Sequence, residues 1–263
     1  MDNYSIVDKL WSVTPAFYCT LYSAVSAYYT EQLNLRLVLM SMLTAAWGGR
    51  LTFNFWRKGG YALRAEDYRW AILREKIPWI LWQPFNLSFI CIYQHYLLFL
   101  IASPAYFVAS QQPSPLDLYD LLIALLFLFF LLVEGVADEQ QWQFHLLKSQ
   151  NEKRELWFSD MEPEEVADVR RGFLSRGLWA YSRHPNFLCE NLIWWTFGLF
   201  TRSFSFSSWT WCGPFLLSLL FWGSTRFTES ISGAKYYSYA EYQKRVPFFP
   251  SIGALVKGPE KLE

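Results

Sequence analysis

The stretch Gly177-Leu-Trp-Ala-Tyr-Ser-Arg-His-Pro-Asn-Phe-Leu-Cys-Glu190 concentrates the residues best suited to chemistry. Pro185 is cheap in a first helical turn, so the sequence predicts a helix start there. The free N–H groups of such an end, with Arg183 beside them, suit a phosphate. Asn186 and Glu190 stand one turn apart, an amide and a carboxylate that suit a carboxamide or ribose hydroxyls. His184, one of three histidines, is a candidate catalytic group, and equally a packing or phosphate contact.

Three further constellations share this character. Arg50, Asn54 and Arg57 are spaced i, i+4, i+7 and so lie on one helix face. An arginine at apolar depth needs a carboxylate or a phosphate, whereas Arg57 is as readily a snorkelling interfacial residue. Glu66 and Asp67 stand beside Arg69, either anchoring the Arg50 face, contacting ribose, or forming a solvated ion-paired loop. Glu134, Asp138, Gln141 and His145 follow an unbroken apolar run from Leu121 to Val133 at helical spacing. A poorly solvated Glu134 calls for a partner, with Arg50 or Arg183 as candidates, or for a raised pKa. Tyr236, Tyr239 and Tyr242 (i, i+3, i+6) fit an interfacial aromatic belt or a cofactor contact. No histidine pair or cysteine cluster has metal-ligand spacing, so no metal is expected.

These groups need helices to carry them, and composition says what kind. Aromatic residues reach 20% and charged residues only 17%, outside the range of an ordinary soluble domain of 263 residues. Six apolar segments, 10–30, 35–56, 79–103, 116–136, 187–203 and 208–226, approach the 20 or so residues that cross a bilayer. Nineteen of the 23 Lys and Arg lie in three groups, from Arg57 to Lys76, Lys148 to Arg183 and Arg226 to Lys261. Each group follows an even-numbered segment. The intervening loops at 30–35, 103–116 and 203–208 hold no basic residue, though Arg36 and Arg202 stand at their borders. The positive-inside rule then puts both termini in the cytosol. The polar stretch from Gln140 to Arg176 is expected as a cytosolic loop with helical pieces over the site. His95 is expected as a buried structural histidine, and the four cysteines as small buried hydrophobes. No secretory signal opens the chain, and Glu260-Lys-Leu-Glu263 is neither a prenylation box nor a retention signal, so insertion is expected to rest on the spans. Zero net charge and the absence of Gly-x-Gly-x-x-Gly or Walker sequences argue against nucleic acid and against a soluble nucleotide-binding fold.

Taken together, Thr52-x-Asn54-x-x-Arg57, Glu66-Asp67-x-Arg69, Glu134-x-x-x-Asp138-x-Gln140, Ser182-Arg-His-Pro-Asn186-x-x-x-Glu190 and Tyr239-x-x-Tyr242 with Phe-x-Pro250 resemble a known pattern. It is that of the steroid 5-alpha-reductase-like membrane oxidoreductases, in the branch catalogued as a domain of unknown function, and it spans about residues 50–250. With the apolar segments, the resemblance implies an all-α polytopic membrane bundle of six to seven helices, one domain over 1–263, in the endoplasmic reticulum membrane if the source is eukaryotic. It further implies an NADPH-dependent reductase of a conjugated carbon–carbon double bond in a steroid-like or other lipid substrate. By motif position Asn54, Arg57, Arg183, Asn186, Glu190 and Tyr239 would contact the cofactor; the residue patterns add Arg50, Asp138 and Tyr242 as contacts, with Glu134 and His184 as catalytic candidates. The steroid reductases' ketone-activating tyrosine has no counterpart, since Trp47 stands in the comparable region, and Cys189 replaces a frequent glycine. Membrane methyltransferases that use S-adenosylmethionine also carry Arg-His-Pro, usually followed by x-Tyr-x-Gly, which Asn186-Phe-Leu-Cys189 lacks. A lipid-binding membrane protein without catalysis is the third reading.

Overall fold

The computed structural model describes residues 4–62, 64–203 and 208–250. The terminal Glu260-Lys-Leu-Glu263 and most of the loop at 203–208 lie outside them. All regular structure among the described residues is helical. In chain order the α-helices are α1 (Ile6–Trp11), α2 (Thr14–Thr30), α3 (Leu35–Arg57), α4 (Tyr68–Lys76) and α5 (Trp79–Phe85). After a π-helical stretch, Asn86–Tyr93, come α6 (Gln94–Ala109), α7 (Leu118–Glu152), α8 (Pro163–Arg171), α9 (Pro185–Gly198), α10 (Cys212–Lys235) and α11 (Tyr239–Arg245).

Two stretches are long and apolar enough to cross a bilayer, Trp79–Ala109 and Leu118–Glu152. The other four segments also form helices where expected, but α2 and α9 have only 17 and 14 residues. α3 carries Arg36, Arg50 and Arg57, and α10 turns polar from Ser224 onward. α7 departs from expectation by running unbroken to Glu152, so its last turns take up the start of the polar stretch read as a loop. No glycine or proline interrupts it after Gly135, and the polar stripe keeps the helical period. Along its first half, Ile123 and Phe127 are buried while Leu121, Leu125, Phe129 and Leu132 are exposed. His95 is only half-buried, its Nδ1 2.8 Å from the Cys91 carbonyl on the π-helical stretch. None of the four cysteines is in a disulfide; Cys19 and Cys189 are buried, but Cys91 and Cys212 are exposed on helix surfaces.

The expected single domain resolves into two compact units, Met1–Phe129 with Asn191–Leu219, and Phe130–Glu190 with Leu220–Glu263. α7, α9 and α10 carry residues of both. In the first unit α2, α3 and α6 pack together. Asn34 starts α3 by accepting the Arg36 and Leu37 N–H groups, two of the four left unpaired at any helix start. Leu37, Met40 and Trp47 then face inward, and Trp47 meets Trp194 edge to face at 4.8 Å. At Gly48 a Cβ would overlap the Ser12 carbonyl, so glycine is what lets α3 approach the α1–α2 turn.

Arg36 and Arg202, the two cations at the borders of the uncharged loops, are both neutralised within this unit. Arg36 Nε and Nη2 meet Asp120 Oδ1 and Oδ2 at 2.7 and 3.1 Å, both residues buried. Arg202 Nη2 donates to Asp117 at 2.6 Å and lies 3.2 Å from Asp120. The starts of α3 and α7 are thereby tied to the turn that ends α9. A buried guanidinium without its carboxylate is an uncompensated charge, so Asp120→Ala should cost about 3–5 kcal/mol. Thermal unfolding in detergent should show a markedly lower midpoint for Asp120→Ala, and recovery in Arg36→Met/Asp120→Leu. Equal midpoints for wild type and Asp120→Ala would refute that role.

Candidate functional site

The second unit holds the chemical signature, and its geometry begins with how α7 receives the loop before α9. Gln140 Oε1 accepts the Leu178 N–H at 3.0 Å, and the Ala137 carbonyl accepts Trp179 Nε1 at 3.2 Å. Gly177 permits this docking: its φ is +60°, and a Cβ would come within 2.5 Å of the Gln140 side chain. Phe144, Leu174 and Trp179 close over the contact as a buried cluster. α9 then starts at Pro185 as the sequence predicts.

Arg183 goes to structure. Its Nε and Nη2 donate to Glu229 Oε1 and Oε2 at 2.6 and 3.3 Å, and Nη1 donates to the Gln243 and Val246 carbonyls at 3.1 and 2.6 Å. With four of its five N–H donors so engaged, the guanidinium has little left for a phosphate. The carboxylate it takes is Glu229 of α10, whereas Glu134 was a candidate from sequence. His184 joins the same acid, Nε2 to Oε1 at 3.0 Å, and its ring stacks near Phe187 and Phe248. Gln243 Nε2 donates to Glu229 Oε2 at 2.9 Å. The Ser182 hydroxyl and the Arg183 N–H reach the Phe248 and Pro247 carbonyls. Ser182-Arg183-His184 is therefore a lock that fastens the segment after α11 to α9 and α10.

Tyr239 and Tyr242 belong to that lock. Both are buried with Phe173 and Val246, where the sequence allowed an interfacial belt or a cofactor contact. The Tyr242 hydroxyl donates to the Trp179 carbonyl at 2.6 Å. Burial pushes both phenols well above their ordinary range, helped by Glu229 at Tyr239 and by the Tyr239 phenol at Tyr242.

Beside the lock, α7 and α9 bring a second group together. Asn186 Nδ2 is 3.4 Å from Asp138 Oδ1, and Glu134, Asp138 and Glu190 are all buried. Asn186 Oδ1 is buried too and accepts no hydrogen bond from the described residues. Gln141 and His145 continue the α7 stripe, their side chains 3.2 Å apart. No cluster of His, Cys, Asp or Glu among the described residues could hold a metal ion.

In the first unit, Asn54 is buried on α3 and its Oδ1 accepts Arg57 Nε at 3.0 Å, so the two share a face as the spacing predicts. Arg50 stands one turn before Asn54 on that helix. The acids of the next loop are taken up locally. Asp67 caps α4 and pairs with Arg69, and Glu66 pairs with Arg74 and accepts the Tyr4 N–H.

Comparison with known proteins assigns the chain. The family model described as a protein of unknown function, DUF1295, matches residues 1–246. The chain belongs to this family. It is also 38% identical over 265 aligned positions to the uncharacterized protein C594.04c of Schizosaccharomyces pombe. That alignment covers 95% of this chain and 73% of the yeast protein. No solved structure matches it.

Sequence reasoning passed over Glu229, which lies 46 positions from Arg183 in a Thr-Glu-Ser run without local pattern. Its one signal was an acid near the end of an apolar segment, in a region with cations needing partners. Burial would raise its carboxyl, but hydrogen bonds from His184, Arg183 and Gln243 hold it down at about 2. A folded-state value below the unfolded one of 4.5 gives stability that is present above 4.5 and lost as pH falls from there towards 2. Glu229→Ala should abolish that acid dependence and cost about 3 kcal/mol or more, because it strands Arg183. Unfolding midpoints of wild type and variant across this pH range check both. Parallel curves would contradict the lock.

Proposed function

We propose that this chain is a multi-pass membrane reductase of the steroid 5-alpha-reductase-like type, using NADPH on a conjugated double bond in a lipid. The observation that carries the reading is the buried Asn186 carbonyl oxygen without a donor, set against Asp138 and on the same helix as Glu190. Unsatisfied buried acceptors cost about 1–3 kcal/mol each, so a native structure holds one for a reason. An amide acceptor among carboxylates suits hydrogen-bond donors such as a carboxamide N–H2 and ribose hydroxyls. It repels a bare phosphate, which brings only negative charge and acceptors. The nicotinamide riboside end of NADPH fits that requirement.

In this reading Asp138 fixes the Asn186 amide through Nδ2 and leaves Oδ1 aimed at the ligand. Glu190, one turn on, takes a ribose hydroxyl. Glu134 lies one turn before Asp138 on the same helix and is buried as well. The cofactor supplies hydride, while the protein supplies position and electrostatics. Arg183, His184, Tyr239 and Tyr242 keep the cluster in shape through the Glu229 lock and touch no cofactor.

Six spans with both termini in the cytosol, in the endoplasmic reticulum membrane, complete the proposal. Support comes from the exposed apolar flanks of Trp79–Ala109 and of the first half of α7, and from the basic residues grouped after every second segment. Buried carboxylates equally favour a cationic group, which keeps S-adenosylmethionine as a second reading.

Thermal unfolding of the detergent-purified chain with NADPH, NADH and S-adenosylmethionine separates the two. NADPH at about 100 times its Kd should stabilise by about 2.7 kcal/mol. Asn186→Ala should remove that shift. A shift with S-adenosylmethionine alone would overturn the reductase in favour of a methyltransferase.

A further inference from the structure

A shallow, open depression of about 390 Å3 lies in the second unit between the end of α8 and the end of α10, and none of the Asn186 group lines it. Arg170, Arg171, Lys235, Tyr236, Tyr237 and Ser238 line it. That is three cations and three hydroxyls, with no carboxylate. Asp168, the nearby acid, is buried and already held by Arg171, Arg176 and Ser175.

The cations differ in how they are used. Arg171 Nη2 donates to Asp168 and to the Ser175 hydroxyl, both at 3.0 Å. Arg170 and Lys235 are exposed and have no carboxylate partner among the described residues. Arg170 stacks on the Phe158 ring at 5.0 Å, and Lys235 lies 5.3 Å from the centre of the Tyr236 ring. Behind them, Lys148 donates to the Tyr236 hydroxyl at 3.1 Å and to the Gly172 carbonyl at 3.2 Å. Burial would raise the Tyr236 phenol, yet Lys148 and Lys235 bring it below its ordinary value, so the groove floor is electropositive. Cations near helix C-termini partly answer the carbonyl dipole there. That role does not account for the hydroxyl-bearing Tyr236, Tyr237 and Ser238 that line the same surface.

We propose that this groove binds a phosphomonoester, with Arg170 and Lys235 as the primary cations and the hydroxyls of Tyr236, Tyr237 and Ser238 as donors. A phosphate dianion accepts charge-assisted hydrogen bonds from several directions, which this lining offers. The fully exposed Tyr237 and the exposed Phe158, on which Arg170 stacks, give it aromatic surface suited to a lipid–water boundary. In the orientation proposed above, the groove faces the cytosolic leaflet, which carries the anionic lipids.

The test is isothermal titration of the full chain in neutral detergent with dihexanoyl phosphatidic acid, dihexanoyl phosphatidylcholine and inorganic phosphate. Phosphatidic acid should bind and phosphatidylcholine should not. Each exposed cation removed should weaken binding about five-fold, so Arg170→Ala/Lys235→Ala should lose about 25-fold. Arg170→Lys/Lys235→Arg should keep most of the affinity. Binding of inorganic phosphate as tight as that of phosphatidic acid would assign the groove to free phosphate compounds; its absence would assign it to a lipid headgroup. No binding by either phosphate compound, or equal binding by wild type and the double alanine variant, would overturn the proposal. Both substituted residues are exposed and outside the Asn186 cluster, so the NADPH-induced shift should persist in the variant and its failure would be separable.

Discussion

One carboxylate organises the second unit. Glu229 receives two guanidinium bonds from Arg183, an imidazole bond from His184 and an amide bond from Gln243, all from groups that are themselves mostly buried. Each partner alone would be costly to bury. Together they satisfy one another's charge and hydrogen-bonding capacity, and the arginine gives two of its three remaining donors to the carbonyls that end α11. Such a pair stabilises little relative to an apolar core, but it breaks expensively, which makes it a device for fixing one geometry. What it fixes here is the entry to α9, and hence the direction in which Asn186 and Glu190 project.

The two ends of α9 obey the same rule. Where it begins, Arg183 and Glu229 hold it in the second unit. Where it ends, Arg202 meets Asp117 and Asp120, with Arg36 closing the network in the first. Every cation in these two networks is matched to a carboxylate, and apolar surface does the rest. Asn186 lies at the first of these ends, next to a lock whose donors are used up and across from buried acids. Binding capacity and structural capacity are thus divided between adjacent residues of one motif.

That division was illegible in the sequence. Helix positions were readable because apolar runs and polar stripes repeat at the helical period, and the Glu134–Asp138 and Asn186–Glu190 pairs were read from that period alone. The Arg36–Asp120 bond was within reach, since Asp120 lies in the first turn of the fourth apolar segment and Arg36 borders an uncharged loop. Glu229 was not, because periodicity reports which residues share a face and says nothing of which distant face answers it. Arg183 and His184 looked like ligands for the reason that makes them good locks: both are strong hydrogen-bonding groups at a boundary. The burial of Tyr239 and Tyr242 against Phe173 was hidden for a related cause, since phenols at i and i+3 look alike whether they face lipid, cofactor or an aromatic ring.

The direct measurement of the lock is amide hydrogen exchange on wild type and Glu229→Gln in the same detergent. If Glu229 organises this unit, exchange should accelerate together at the amides of 182–188 and 239–248, which touch it from separate parts of the chain. Amides of α3 in the first unit should be unchanged. Acceleration confined to the neighbours of residue 229 on α10, or none at all, would contradict the account.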